Sequence, residues 1–164
     1  TKPQGAVYEL VLKAQMAAID EIRPGASFDA PHEAAVRVIQ QGLIELGLIP
    51  HTVDDAPNSE GYKRFFMHRT GHWLGLDVHD VGRYKIDGQW REFEPGMVVT
   101  VEPGIYIDAA EDIPTAYRGI GVRIEDDVLV TPKGADILTH EVPKTVEDIE
   151  AFMNDCKVRH RLDA

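Results

Sequence analysis

Apolar residues at helical spacing predict two helices in the N-terminal part of the chain. The first apolar stripe is followed by Pro24-Gly25, a pair that does not continue a helix. The second stripe predicts a helix from about Pro31 to Leu46, with Gly47 as its C-terminal stop. The two stripes consist of Val7, Leu10, Val11, Ala14, Ala18 and Ile22, and of Val36, Ile39, Leu43 and Leu46.

The pattern changes from helical to β beyond a polar stretch at residues 51–61, which predicts a loop. A last helix is predicted from Thr145 to about Val158, because Thr145 and Asp148 match a capping box. Helices followed by several strands and a helix predict an α+β fold with an antiparallel sheet, and not the strand–helix alternation of a doubly wound fold. The predicted strands lie at Met97–Val101, Ile105–Ile107, Gly121–Ile124 and Val128–Val130.

Length, charge and cysteine content limit the kinds of fold, binding partner and metal site that the chain can have. The length of 164 residues suits one domain, and the formal net charge of -11 argues against nucleic acid and anionic membrane surfaces as partners. The single cysteine, Cys156, excludes an internal disulfide and a cysteine-based zinc cluster. The sequence has no apolar run long enough to span a bilayer, and its first residues lead us to expect no signal peptide. We therefore expect the cytoplasm as its location.

The candidate chemistry is concentrated in the stretch FMHRTGHWLGLDVHDVG, residues 66–82, which holds His68, His72 and His79. Two glutamates follow in distinctive settings, Glu102 in TVEPGIY and Glu125 in GIGVRIEDD. Imidazole and carboxylate groups together are typical ligands of a divalent metal ion. The pattern therefore indicates a metal site and favours metal-assisted hydrolysis.

The spacing of His68 and His72 resembles that of the zinc motif HExxH, but the comparison fails. Arg69 stands where the general base should be, and Gly71 disfavours a helix. On a strand, residues four apart share a face at about 13 Å, which suits opposite parts of one pocket better than one ion. The alternative is that each histidine is simply a hydrogen-bonded core residue. The remaining histidines are predicted to be surface residues; they are His32, His51, His140 and His160.

The two glutamates lie in strand-like apolar runs. A carboxylate that points into a sheet is costly unless a cation or hydrogen bonds neutralise it. The alternative to a metal for Glu125 is a pair with Arg123, which shares its face of the strand. We expect Asp126 and Asp127 to continue into solvent.

The segments HWLGLDVHDVG, VEPGIYI and YRGIGVRIEDD resemble the metallopeptidases of the aminopeptidase P and prolidase group. That group belongs to the pita-bread family, which also holds methionine aminopeptidase and creatinase. The resemblance covers essentially the whole chain. It implies an α+β pita-bread fold, an antiparallel sheet with helices on one face, and residues 1–164 as the C-terminal part of a single catalytic domain. The implied reaction is hydrolysis of the peptide bond between an N-terminal residue and proline.

The resemblance also implies a site with two divalent ions. These are usually manganese, with zinc, cobalt or iron as alternatives, and their ligands are two aspartates, one histidine and two glutamates. Carried onto this sequence, the ligands are His72, Glu102 and Glu125. Glu125 matches the bridging ligand, and Glu102 also handles the proton of the nucleophilic water.

Four further residues match the family's pattern around the metals. His79 corresponds to the residue that contacts the scissile carbonyl, and His68 to a histidine of the substrate pocket. Tyr106 and Arg123 fall where the family places supporting polar side chains. A peptide with proline at its second position is the implied substrate.

The family's two aspartate ligands lie upstream of the helix with which this chain begins. Residues 1–6 contain no aspartate, and Asp54-Asp55 lies in the polar loop. The chain also starts without methionine and enters a helix at once, so we expect a piece of a longer protein that carries three of five ligands. Alone, it would bind one ion or none and associate with itself or with the missing segment. The alternatives are a non-catalytic binding module and another pita-bread chemistry, such as creatine hydrolysis.

Overall fold

The computed structural model describes residues 1–50 and 60–162. The described helices are α1 (Lys2–Ile19), α2 (Ala30–Glu45), a short 3-10 helix (Glu60–Arg64) and α3 (Val146–Leu162). The described strands are β1 (Lys85–Ile86), β2 (Gln89–Trp90), β3 (Val98–Val101), β4 (Gly104–Tyr106), β5 (Gly121–Arg123), β6 (Asp126–Thr131) and β7 (Gly134–Ile137). Most of the predicted polar loop, residues 51–59 with His51, lies outside the described part.

Helices α1 and α2 pack against each other and bury the two predicted apolar stripes. Val11 and Ala14 of α1 and Ile39 and Leu43 of α2 are completely buried. The helix boundaries agree with the sequence pattern to within a few residues, since α1 ends at Ile19 and α2 spans Ala30–Glu45. Burial of apolar side chains on one face is the main source of stability for helices of this length.

The strands form three small antiparallel sheets among the described residues. Their orders are β1-β2, β3-β6-β7 and β4-β5. The α+β class and the antiparallel pairing confirm the prediction, while the single sheet expected from the sequence is divided into three. Helix α1 is also linked to β3 by a hydrogen bond, in which Gln15 Nε2 donates to the carbonyl of Val101 at 3.3 Å.

The β1–β2 hairpin and strand β7 were not among the predicted strands. Asp87 and Gly88 connect β1 to β2, and both have a positive φ, 50° and 80°. An Asp-Gly pair is the preferred sequence for a two-residue hairpin turn, so the sequence did contain a signal for this hairpin.

Helix α3 begins as the capping pattern predicts. The hydroxyl of Thr145 accepts a hydrogen bond of 3.0 Å from the backbone N–H of Asp148 and donates one of 2.7 Å to its carboxylate. Within residues 1–50 and 60–162, no helix is both long and apolar enough to cross a membrane.

Asp126 is buried, so the expectation that it reaches solvent is wrong. Its side chain is 1% exposed, and its Oδ1 accepts hydrogen bonds from Lys144 Nζ at 2.8 Å and from the Thr139 hydroxyl at 2.6 Å. A charged partner and a hydroxyl compensate the carboxylate for lost water. Asp127, its neighbour in β6, is half-buried.

Candidate metal centre

An extended segment, residues 70–74, runs antiparallel to β3 and positions His72. Backbone hydrogen bonds run from Thr100 N to the carbonyl of His72 at 3.0 Å and from Glu102 N to the carbonyl of Thr70 at 2.6 Å. Because neighbouring side chains alternate between faces, His72 and Glu102 project on the same side. Trp73, on the other side, is buried in the core.

The hydrogen bonds of the His72 ring determine which nitrogen can bind a metal. Nδ1 lies 2.9 Å from the carbonyl of Trp73, an atom that only accepts, so Nδ1 carries the proton. The lone pair on Nε2 is then available, and Nε2 lies 3.3 Å from Oε1 of Glu102. A backbone carbonyl that fixes the tautomer of a ligating histidine is a common arrangement around protein metals.

Glu125 completes the cluster from the short connection between β5 and β6. One ligand atom each from His72, Glu102 and Glu125 lies within 4.8 Å of the others. Partial burial, followed by the charges of Glu102 and Asp127, raises the pKa of Glu125, while His72 and Arg123 oppose this effect. Two carboxylates held this close repel each other, and a divalent cation would relieve that repulsion.

The environments of the two glutamates differ from the prediction that both point into a sheet. The Glu102 side chain is largely buried, at 13% exposed, whereas Glu125 is exposed. Among the described residues, the predicted alternative partner of Glu125, Arg123, forms no close ion pair with it, although its positive charge lowers the pKa of Glu125. Arg123 Nη1 instead lies 3.5 Å from Oε2 of Glu102.

A directed chain of hydrogen bonds joins Arg123, Tyr106 and His68. Arg123 Nε donates to the Tyr106 hydroxyl at 2.7 Å, and this hydroxyl lies 2.9 Å from His68 Nε2. His68 Nδ1 lies 2.7 Å from the carbonyl of Arg69, so Nδ1 carries the proton and Nε2 accepts from Tyr106. The sequence placed these three residues near the site, but their mutual contacts depend on the fold.

His68 and Arg123, together with His72 and Glu102, line a cavity of about 630 Å³, a size usual for small-ligand sites. His79 lies at its exposed side, with its ring centre 4.5 Å from that of His72. His68 and His72 both line the cavity, as the spacing argument predicted, although only residues 70–74 of this region pair with β3. The other lining residues include Phe28, Arg69, Tyr84, Lys85, Trp90, Glu102 and Arg123.

His32 is half-buried, which corrects its prediction as a surface residue. Its Nδ1 lies 2.9 Å from the hydroxyl of Thr70, and its ring packs against Phe66 with centres 5.6 Å apart. Burial, together with the positive charge of Arg69, lowers its pKa to about 4. His140 is exposed, as predicted, and the side chain of His160 lies outside the described part.

Thr100 is a site residue that the sequence reasoning missed. Its hydroxyl donates to Oε1 of Glu102 at 3.1 Å and accepts from the backbone N–H of His72 at 3.1 Å. A signal was present, because Thr100 lies two positions before Glu102 on a predicted strand and therefore shares its face. A threonine in a strand is so common, however, that the type of residue alone indicates no function.

Comparison with known proteins assigns the chain and its fold to one family. The model of metallopeptidase family M24 matches residues 1–132, and the chain belongs to that family. The fold agrees with this assignment. Aminopeptidase PepP of Pseudomonas aeruginosa superposes with a TM-score of 0.93 at 56% identity, over 96% of this chain and 36% of that one.

Two similar curated proteins are named Xaa-Pro aminopeptidase. The Xaa-Pro aminopeptidase of Haemophilus influenzae is 52% identical over 94% of this chain and 36% of its own length. That of Escherichia coli is 45% identical over 93% of this chain and 34% of its own length. The chain thus spans about a third of the length of the curated relatives that it matches.

Proposed function

We propose that this chain contributes to an Xaa-Pro aminopeptidase, which hydrolyses the peptide bond between an N-terminal residue and proline. The observation that carries the proposal is the convergence of His72, Glu102 and Glu125, with ligand atoms within 4.8 Å of one another. The family and the names of the similar proteins support the reaction class.

The donor set fits a divalent cation. One neutral imidazole nitrogen with a fixed tautomer and two crowded carboxylates offer the hard and borderline ligands that manganese, zinc, cobalt and iron accept. We propose a centre of two ions, most often manganese, in which His72, Glu102 and Glu125 hold part of the ligand sphere. The other two ligands would come from an N-terminal segment or a partner chain, and residues 1–164 would be the C-terminal part of one catalytic domain.

Bound ions would supply Lewis acidity, which acidifies water and polarises a peptide carbonyl. The protein's own groups have separate roles in the proposed reaction. The carboxylate of Glu102 accepts the proton of the attacking water, and the exposed imidazole of His79 donates a hydrogen bond to the developing oxyanion. Arg123 orients Glu102 through their ion pair, and its hydrogen bonds continue to Tyr106 and His68 along the cavity. His68, which lines the cavity, would contact the substrate, and Tyr106 would hold the His68 ring in place.

A bond that precedes proline suits such a dedicated site. Proline has no N–H and a fixed φ, so sites that bind ordinary peptides through backbone hydrogen bonds hold it poorly. A cavity of about 630 Å³ lined by His68 and aromatic side chains offers space for the proline ring.

The direct test is manganese binding to the purified 164-residue chain by calorimetry, compared with Glu125→Gln and with Glu94→Gln. Glu94 is exposed and lies outside the cluster, so its variant controls for loss of charge. We expect Glu125→Gln to weaken binding at least about tenfold and Glu94→Gln to leave it unchanged. Equal binding by all three proteins would contradict the ligand assignment.

Activity is tested separately, by hydrolysis of Ala-Pro-Ala and of Ala-Ala-Ala after manganese loading. Cleavage of the proline peptide alone supports the proposed specificity. A second candidate, a non-catalytic binding module, is favoured by one observation: only three ligand groups converge within the described residues. Metal binding without hydrolysis, also after addition of a segment that supplies carboxylates, would support that candidate. Association with itself and location in the cytoplasm remain predictions.

A further inference from the structure

Two cationic side chains share the cavity with the candidate metal ligands. The guanidinium carbon of Arg69 lies 4.6 Å from the centre of the Trp90 ring, and Nζ of Lys85 lies 4.3 Å from it. All three residues line the cavity into which His72 and Glu102 project. The ring attracts both cations through its negative faces, so it holds two positive charges at the cavity surface.

The fold fixes the position of this ring. Lys85 and Trp90 are cross-strand partners in the β1–β2 hairpin. The ring of Trp90 stacks on that of Phe28 with centres 6.1 Å apart and an angle of 25°. Phe28 in turn donates a backbone hydrogen bond of 2.8 Å to the carbonyl of Arg91, directly after the hairpin. We call Arg69, Lys85 and Trp90 the cationic wall. The contacts of the Trp90 ring and of the hairpin fix the position of this wall relative to the rest of the domain.

The charges on this wall are unequally compensated. Arg69 forms an ion pair with Asp29, which neutralises part of its charge. Among residues 1–50 and 60–162, no carboxylate forms an ion pair with Lys85, whose Nζ lies over the Trp90 ring. The wall therefore keeps a net positive charge in a protein whose formal net charge is -11. Such a wall repels the amino terminus of a peptide and attracts a carboxylate.

We propose that Lys85, together with Arg69 and Trp90, binds a carboxylate of the peptide on the C-terminal side of the bond that is cut. This inference rests on the proposed function, because an aminopeptidase holds the peptide's amino terminus near the metals and leaves the remainder to the rest of the cavity. The carboxylate has two possible sources, the C-terminus of a short peptide or an acidic side chain beyond the proline.

The test measures binding without turnover. The metal-free, ¹⁵N-labelled 164-residue chain is titrated with Ala-Pro-Ala as the free acid and as the C-terminal amide. Resonances of the Lys85 amide and the Trp90 indole N–H report binding. We expect the acid to bind about fivefold more tightly than the amide, the range of one partly exposed charge-assisted hydrogen bond. The preference should also decrease with added salt.

Matched variants identify the residue responsible. Lys85→Met removes the charge but keeps the apolar stem, and it should abolish the preference for the acid. Lys133→Met, in the exposed turn between β6 and β7, should leave the preference unchanged. A preference that persists in Lys85→Met overturns the proposal, as does the absence of any shift at Lys85 and Trp90 at the solubility limit of the acids.

A second peptide pair distinguishes the two sources of the carboxylate. Tighter binding of Ala-Pro-Glu amide than of Ala-Pro-Gln amide indicates an acidic side chain, and a difference only between the free acid and the amide of Ala-Pro-Ala indicates the C-terminus. No difference in either pair overturns the proposal. Failure of the proposed function is seen elsewhere, in manganese binding and hydrolysis. If the chain hydrolyses the proline peptide but shows no preference for a carboxylate, only the role of Lys85 is overturned. If it shows a Lys85-dependent preference for a carboxylate but no hydrolysis, only the proposed peptidase activity is contradicted.

Discussion

His72 and Thr100 face each other across two antiparallel extended segments and are joined by two hydrogen bonds. The backbone N–H of Thr100 donates to the carbonyl of His72 at 3.0 Å, and the N–H of His72 donates to the hydroxyl of Thr100 at 3.1 Å. The same hydroxyl donates to Oε1 of Glu102 at 3.1 Å. One buried threonine therefore fixes the relative position of two candidate metal ligands.

Replacement of Thr100 by valine removes the hydroxyl at nearly constant volume. Because partners of this kind orient metal ligands, we expect Thr100→Val to weaken manganese binding about tenfold. Thr100→Ser keeps the hydroxyl and should bind within about threefold of the parent chain, even though it loses a buried methyl group. Calorimetric titration of the three proteins checks this. Equal affinity of the valine variant and the parent chain would show that the hydroxyl has no role in positioning the ligands.

Gly71 lies in the segment 70–74, next to the backbone of β3. A Cβ atom there would lie 1.9 Å from the carbonyl oxygen of Thr100, which is backbone and cannot rotate away. We expect Gly71→Ala to lower the free energy of unfolding by about 2–4 kcal/mol and to weaken metal binding, because the segment must move away from β3.

The matched control for this variant is Gly5→Ala in α1. A Cβ at Gly5 has no atom within 4 Å, so alanine should raise the free energy of unfolding by about 0.5–1 kcal/mol through its higher helix propensity. Urea denaturation of both variants checks the pair. If Gly71→Ala is as stable as the parent chain, segment 70–74 can move away from β3 without lowering the free energy of unfolding.

The helices and the main strands follow from local pattern. Helices α1 and α2 bury the stripes predicted for them, and β3, β4, β5 and β6 overlap the predicted runs, because apolar periodicity reports which face meets the core. The hairpin at residues 85–90 was not predicted from this pattern. Its strands have two residues each and are mostly exposed, so they lack an alternating apolar pattern.

Residue types and the resemblance predicted the members of the candidate site, but they did not predict the contacts between them. Asp126, which lies outside the site, illustrates the reason. Its carboxylate is paired with Lys144, which lies 18 positions away and meets it only in the folded chain. In the same way, the sequence predicts that Arg123 shares a strand face with Glu125, but in the fold Glu125 lies after β5 and Arg123 makes its ion pair with Glu102. Pairing between distant segments decides such contacts, and a single sequence does not specify it.

The buried pair of Asp126 and Lys144 should contribute strongly to stability. Lys144→Met would leave the carboxylate of Asp126, whose side chain is 1% exposed, without its cation. We expect the free energy of unfolding to fall by about 3 kcal/mol, as for other broken buried pairs. The double variant Asp126→Asn/Lys144→Met removes both charges and should recover part of this loss. Chemical denaturation of the single and double variants measures the coupling, and additive effects would mean that the two charges do not interact.

His32 should make the stability of the protein depend on pH. Burial first, and then the positive charge of Arg69, lower its pKa from 6.5 to about 4, with Asp29 acting in the opposite direction. Between these two pKa values the unfolded chain binds more protons than the folded one, so the free energy of unfolding falls as the pH is lowered. The contribution of the neutral ring is complete above about pH 6.5 and is lost progressively towards pH 4.

The asparagine variant isolates this effect from all other titrating groups. Asparagine can keep a hydrogen bond to the Thr70 hydroxyl but does not titrate, so the parent chain should lose about 1–2 kcal/mol more than His32→Asn between pH 7 and pH 4. His140→Asn, at an exposed position, should follow the parent chain. Urea denaturation at several pH values provides the comparison. If His32→Asn and the parent chain lose stability in parallel, the His32 ring is already accessible to protons in the folded state, and the acid sensitivity of the fold comes from other groups.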